Sequence, residues 1–235
     1  MAELVFHYIF KHGDGSKKDF SVRLDNETLQ LIADPPNPAP EWTELAFNKC
    51  PNCPLAEAEH KHCPVALNIS DLVKNFAGSV SHEKVNLKIE TEARTYQKET
   101  TLQKGVSALT GIFMVTSGCP ILDKLRPMVR MHLPFANLEE TQYRALSMYL
   151  LAQYFLFKKG KTPDWELKNL SKIYENVHIV NKAFAKRLTA AAAQDALPNA
   201  LVILNTFADS VSFALDKNAL QKIERLFAAY LKESE

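Results

Sequence analysis

Leu4-Val5-Phe6-His7-Tyr8-Ile9-Phe10, then His12-Gly13-Asp14-Gly15-Ser16, then Phe20-Ser21-Val22-Arg23-Leu24 is the stretch from which the fold is read. Successive side chains of a strand point to opposite faces, so two alternating runs around a Gly-containing break predict an antiparallel hairpin. A second turn at Asp25-Asn26-Glu27 predicts that Leu29 to Ile32 returns as a third strand and completes a small meander. The segment Asp34-Pro35-Pro36-Asn37-Pro38-Ala39-Pro40 sustains neither a strand nor a helix period. Its prolines remove N–H donors and favour extended backbone, which makes it a linker.

Beyond the linker the period changes. Pro64 to Phe76 carries Val65, Leu67, Ile69, Leu72, Val73 and Phe76 at mostly helical spacing. Residues 83 to 101 alternate β-branched and charged residues, predicting one long or two paired exposed strands, with a helix as the alternative. Leu102 to Val115 is predicted as a buried helix closed by Gly118. Asn137 and Glu140 stand at the spacing of a capping box and open a helix from Leu138 to Phe157, ended by Gly160. Thr162-Pro163-Asp164 predicts the next start, with Leu170, Ile173, Tyr174, Val177, Phe184 and Leu188 as one apolar stripe. Two more helices are expected, near Pro198 to Phe213 and Asn218 to Leu231, the last burying Leu220, Ile223, Leu226, Phe227, Tyr230 and Leu231. The expected organisation is α+β: an antiparallel β unit over 1–34, a Pro-rich linker and Cys-rich loop over 35–63, and a mainly α-helical domain over 64–235.

Composition narrows the function. The 235 residues carry 28 Lys and Arg against 27 Asp and Glu, a net charge of +1, which gives no bulk field to gather nucleic acid or anionic lipid. No window approaches the roughly 18 apolar residues of a membrane-spanning helix, and the start Met-Ala-Glu-Leu-Val-Phe-His-Tyr lacks the pattern of a secretion signal. The expectation is a cytoplasmic protein without a nucleic-acid or membrane partner, though a protein partner is compatible with it. In that compartment thiols stay reduced, so four cysteines read better as ligands or reactive groups than as two bridges. With 7 glycines and no Gly-rich phosphate loop, a nucleotide-using enzyme is disfavoured.

The cysteines have the pattern Cys50-x2-Cys53-x9-Cys63-x55-Cys119, with His60 and His62 beside the third. A C-x2-C pair puts two sulfurs on one tight turn, close enough for one tetrahedral ion or two corners of a cluster. Each cysteine precedes a proline, at Pro51, Pro54, Pro64 and Pro120, in a chain with 12 prolines. Proline favours the first helical position, so Cys63 and Cys119 are expected to cap helices beginning at Pro64 and near Pro120. There, unpaired N–H groups would lower the thiol pKa. The four cysteines are therefore the expected metal ligands, with His60 and His62 as alternates. Zinc is preferred slightly over a [4Fe-4S] cluster, although Pro54 cannot supply the N–H that a zinc turn usually places after its second cysteine.

Ser117-Gly118-Cys119-Pro120 continues into Asp123, Arg126, Arg130 and His132. This segment permits a competing reading: a thiol-dependent enzyme with Cys119 as nucleophile, His132 as base and an Arg126/Arg130 anion pocket. Its plainer form has the arginines paired with Asp123, Glu139 or Glu140. The runs Cys50-Pro51-Asn52-Cys53-Pro54-Leu55, His62-Cys63-Pro64 and Ser117 to Met128 together resemble an uncharacterised bacterial protein family of roughly this length. That resemblance implies a bacterial cytoplasmic protein and supplies no activity. The favoured expectation is a metal- or iron-sulfur-binding protein with a structural or redox-regulatory role, rather than an enzyme.

Overall fold

In the computed structural model, which describes residues 2–34, 36–214 and 217–232, the hairpin is formed by β1 (Glu3–His12) and β2 (Lys17–Asp25). Their antiparallel register pairs Phe6 with Val22 and Tyr8 with Phe20. Pro35 of the expected linker lies outside the described residues.

The third strand is not where the meander placed it. Leu29 takes a left-handed φ of 58° and Leu31 makes only an isolated bridge to Leu24, so the chain cannot extend the ladder there. The place beside β1 goes to β3 (Lys84–Glu90), and β4 (Thr95–Thr101) pairs with its other edge in the order β2-β1-β3-β4. Of the readings open for residues 83 to 101, two paired strands is the one realised. β3 wins the position because Val85, Leu87 and Ile89 alternate onto the face already occupied by Phe6, Tyr8 and Phe10. The break near residue 34 thus separates stretches of sequence that share one core, a cluster running from Phe6 to Val211.

Helices cover that face, giving the expected α+β class. The expected helix from Pro64 to Phe76 is two short ones, α1 (Pro64–Asn68) and α2 (Ser70–Phe76), parted at Ile69. Phe76 seals the sheet by ring contacts with Phe10 and Phe20, whose centroids lie 5.2 and 5.3 Å away. α3 (Leu102–Val115) crosses the sheet at Gly105, where a Cβ would stand 2.8 Å from both Leu87 Cδ2 and Phe10 Cε1. Only a residue without a side chain permits that approach.

α4 (Leu138–Lys158) starts with the expected capping box: Asn137 accepts from the Glu140 N–H, and the Glu140 carboxylate accepts from the Asn137 N–H, each at 2.8 Å. α5 (Lys168–Ala191) begins later than the Thr162-Pro163-Asp164 signal suggests, after Leu167 in a left-handed conformation. Asp164 still serves that helix. Its carboxylate accepts from the N–H groups of Lys168 and Asn169 and from the Tyr149 hydroxyl, capping the first turn from outside it. α6 (Ala196–Ala214) packs against α5, α3 and α4 and is the hub of the helical body.

The last stripe departs from expectation. α7 (Lys217–Glu224) and α8 (Ala228–Lys232) are parted by a 3-10 turn, Arg225–Phe227, and Leu226, Phe227, Tyr230 and Leu231 are exposed. A 3-10 turn has three residues per turn, which rotates α8 away from the side where Leu220 and Ile223 meet the core. Among the described residues, no helix is long and apolar enough to cross a membrane.

Candidate metal centre

The four cysteines arrive from three places in the chain. Cys50 and Cys53 sit on a tight turn closed by the Cys53 N–H donating to the Cys50 carbonyl at 3.0 Å. Cys63 is the residue before α1 and is buried, as its proline neighbour leads one to expect. Cys119 comes after α3 and Gly118, whose φ of 83° turns the chain back. The α1 end lies along α3, where Asn68 Nδ2 approaches the Phe113 carbonyl at 3.5 Å. All four cysteines pack against the common core and none is in a disulfide.

The thiols act on one another electrostatically. Burial, and then the nearby sulfurs of Cys63, Cys53 and Cys119, push Cys50 up to about 12. Burial also raises Cys63 and Cys119, and each is pushed further by Cys53. The expected lowering at helix starts is therefore overturned in sign, although its cause is present. The N–H groups of Ala66 and Val65 face Cys63, and those of Leu122 and Ile121 face Cys119, pulling the pKa down against the larger effect of burial. They do so without closing a cap hydrogen bond. Cys119 is also not itself a cap: the helix after it is a 3-10 segment, Leu122–Met131, capped by Ile121. Among the described residues, no group of three or more His, Cys, Asp or Glu side chains is arranged to hold a metal ion. The thiols are neighbours without standing as a finished coordination sphere.

The histidine alternates differ. His60 is exposed. His62 is tied down through Nδ1, 2.9 Å from Thr43 Oγ1. The Thr43 hydroxyl gives its one proton to the Pro40 carbonyl at 2.6 Å, so Nδ1 carries the hydrogen and Nε2 keeps the lone pair.

A residue missed by the sequence reading dominates the site. Arg187 on α5 is 1% exposed. Its Nη1 donates to the Trp42 and Glu44 carbonyls at 2.7 Å each, and Nη2 to the Leu45 carbonyl at 3.3 Å, while Nε has no partner. Burial depresses its pKa, and the thiolate forms of Cys63, Cys50 and Cys53 oppose that depression. Among the described residues, this guanidinium is the buried positive group that Cys50 and Cys63 face. The signal was available: Arg187 lies three residues after Phe184, on the apolar stripe of α5, where a charge needs a reason. The base of the Cys-rich loop is closed as well, by Cys63 N–H to the Thr43 carbonyl at 2.8 Å and Leu45 N–H to the Lys61 carbonyl at 2.9 Å. Asn52, inside the turn, donates from Nδ2 to the Asn176 carbonyl at 3.0 Å, which fastens the loop to α5 a second time.

The residues of the thiol-enzyme reading are dispersed among other partners. His132 Nε2 is 2.5 Å from the Tyr8 hydroxyl, and its ring stands edge-on to Phe6. Burial and then the nearby Arg144 charge lower its pKa to about 3, which makes it a weak base at neutral pH. Arg126 pairs with Asp123 at 3.2 Å, the plainer of the two readings. Arg130 holds Asn26 through its carbonyl and, at 2.7 Å, its side-chain oxygen. Each guanidinium is engaged within the fold.

No curated protein and no solved structure matches this chain. A family model does match, over residues 5–228, and it spans the sheet, the cysteine loop and the helical body alike. The chain belongs to the family described as a domain of unknown function, DUF6901.

Proposed function

We propose that Cys50, Cys53, Cys63 and Cys119 are the ligands of one metal centre, a zinc ion in preference to a [4Fe-4S] cluster, and that the centre clamps the Cys-rich loop to the helical body. The observation that carries this reading is that four free thiols from three separate stretches of the chain pack against the same core, three of them beside a buried guanidinium. Four soft sulfur donors suit either group. Four thiolates around a divalent ion leave a net charge of two minus, which Arg187 and the N–H groups facing Cys63 and Cys119 would offset. Ligation releases the thiol protons, so loading is pH-dependent, and the raised pKa of Cys50, Cys63 and Cys119 moves it to higher pH than for exposed cysteines. His62 Nε2 is the reserve donor.

The centre would work in the cytoplasm, as a structural clamp or as a redox-regulatory site whose oxidation frees the loop. A nucleic-acid partner is not part of this reading, given the balanced charge. A protein partner is: Leu150, Tyr154 and Phe157, at i, i+4 and i+7 on α4, with Trp165 beside Phe157, are exposed apolar side chains on one helix face that such a partner would cover. The thiol-enzyme reading is set aside because His132 is engaged by Tyr8 and is too weak a base.

The test is metal analysis with an absorption spectrum of anaerobically purified protein. One zinc per chain in colourless protein is the expected result. Broad absorbance near roughly 400 nm with bound iron would replace zinc by the cluster, and neither signal would overturn the centre.

A further inference from the structure

A cavity of about 600 Å³ lies between the β4 edge of the sheet, α3, the 3-10 segment, α4 and α6. Its depth is apolar, walled by Ala108, Ile112, Leu125, Val129, Leu204 and Phe207. Its charged wall is one-sided: Lys84, Lys98, Lys104 and Arg144 border it, with Glu99 as the one acid among its described lining residues. A chain with a net charge of +1 has no general reason for such an imbalance in one place.

Two polar groups in this wall lack partners. Arg144 donates from Nη2 to the Met128 carbonyl at 3.0 Å, yet its buried Nε has no hydrogen-bond partner, and among the described residues no carboxylate forms an ion pair with it. The buried Thr101 hydroxyl oxygen likewise has none. These two atoms are sealed from the cavity, but the Arg144 side chain itself lines it, and a guanidinium with no carboxylate paired to it among the described residues is the group that an anionic ligand would complete. The volume is in the range of small-molecule sites, and a mainly apolar lining with a few convergent polar groups is their usual make-up.

We propose that this cavity binds an aliphatic monocarboxylate of the fatty-acid class, its tail along α3 and α6 and its carboxylate at Arg144, with Lys98 and Lys104 at the mouth. The carboxylate supplies the acceptor that the planar guanidinium lacks, and the tail displaces water from the apolar depth. This site is separate from the cysteine centre and stands without it.

The experiment is calorimetric titration of the purified chain with dodecanoate, dodecanol and acetate. Dodecanoate binds saturably, one per chain; dodecanol, lacking the charge, binds at least about tenfold more weakly, and acetate, lacking the tail, does not bind. Ala108→Trp fills the apolar depth and weakens dodecanoate at least about tenfold with the melting temperature retained. Lys98→Glu with Lys104→Glu, both exposed and outside the core, weakens dodecanoate without changing dodecanol. No dodecanoate binding below its micelle concentration would overturn the proposal. So would equal affinity for dodecanol, or affinity untouched in both the Trp variant and the double Glu variant.

Discussion

Arg187 Nη1 donates to the Glu44 carbonyl oxygen at 2.7 Å, joining the middle of the helical body to the segment that leads into the cysteine turn. The same nitrogen serves Trp42, and Nη2 serves Leu45, so one guanidinium holds three carbonyls within residues 42–45 while standing beside three thiols. A charge buried this deeply is tolerated because three of its donors meet backbone carbonyls and thiols stand beside it.

Replacing Arg187 by Leu should therefore cost about 3–5 kcal/mol in denaturant unfolding, because three carbonyls lose their donor in a buried setting. Arg187→Lys keeps the charge but cannot span three carbonyls, and it should fall between the two. Protease cleavage within residues 46–60 should increase in the same order. An Arg187→Leu chain as stable as wild type, with an intact loop, would show that the guanidinium anchors nothing.

Gly105→Ala tests the α3 crossing. Ala gains about 1 kcal/mol over Gly in helix propensity, but its Cβ would enter at 2.8 Å from Leu87 and Phe10, and overpacking of a core costs about 1–3 kcal/mol. The net expectation is destabilisation of about 1 kcal/mol, read from the midpoint of urea unfolding. A stabilised variant would mean that the sheet yields to α3.

These two positions show where sequence reading reaches and where it stops. The hairpin, the capping box at Asn137 and Glu140, and the stops at Gly118 and Gly160 are local chemistry, decided within a few residues, and the chain carries them openly. The partner of β1 is not local. Residues 29 to 32 and residues 84 to 90 both offer apolar side chains, and only the packed face, with Phe10 opposite Leu87 and Tyr8 opposite Ile89, decides between them. The cysteine set was readable from its spacing and from its adjoining prolines. The sign of the thiol shifts was not, since the burial that raises Cys50, Cys63 and Cys119 comes from a core assembled out of distant segments.

His132 gives a pH prediction. Its folded pKa of about 3 lies below the ordinary 6.5, so the native state holds it neutral. Above pH 6.5 both folded and unfolded chains are neutral there, and the stabilisation is fully present. As pH falls from 6.5 toward 3 the unfolded chain takes up a proton that the folded one refuses, and stability drops by at most about 1.4 kcal/mol per pH unit from this group. His132→Gln preserves a polar partner for Tyr8 without titrating. Its stability should fall less steeply than wild type between about pH 6 and 4, and parallel curves would remove His132 from the acid response.

The loop itself tests the metal centre. Residues 46–60 are short of large apolar side chains, and ordering them costs of the order of 1–2 kcal/mol per residue in backbone entropy. Arg187 and the Thr43–Cys63 and Leu45–Lys61 bonds close the loop's base, and Asn52 fastens its turn, but between these points burial supplies little. If the four thiols hold a metal there, its binding free energy is folding free energy for that loop. Cys119→Ser removes the ligand that comes from beyond α3, so bound metal should fall, and cleavage within residues 46–60 should rise. The body should remain folded by circular dichroism, because α3, α5 and α6 bury their own stripes against one another. Metal content and cleavage that both match wild type would take Cys119 out of the ligand set. His62, whose Nε2 carries the free lone pair, would then be the fourth donor to replace next.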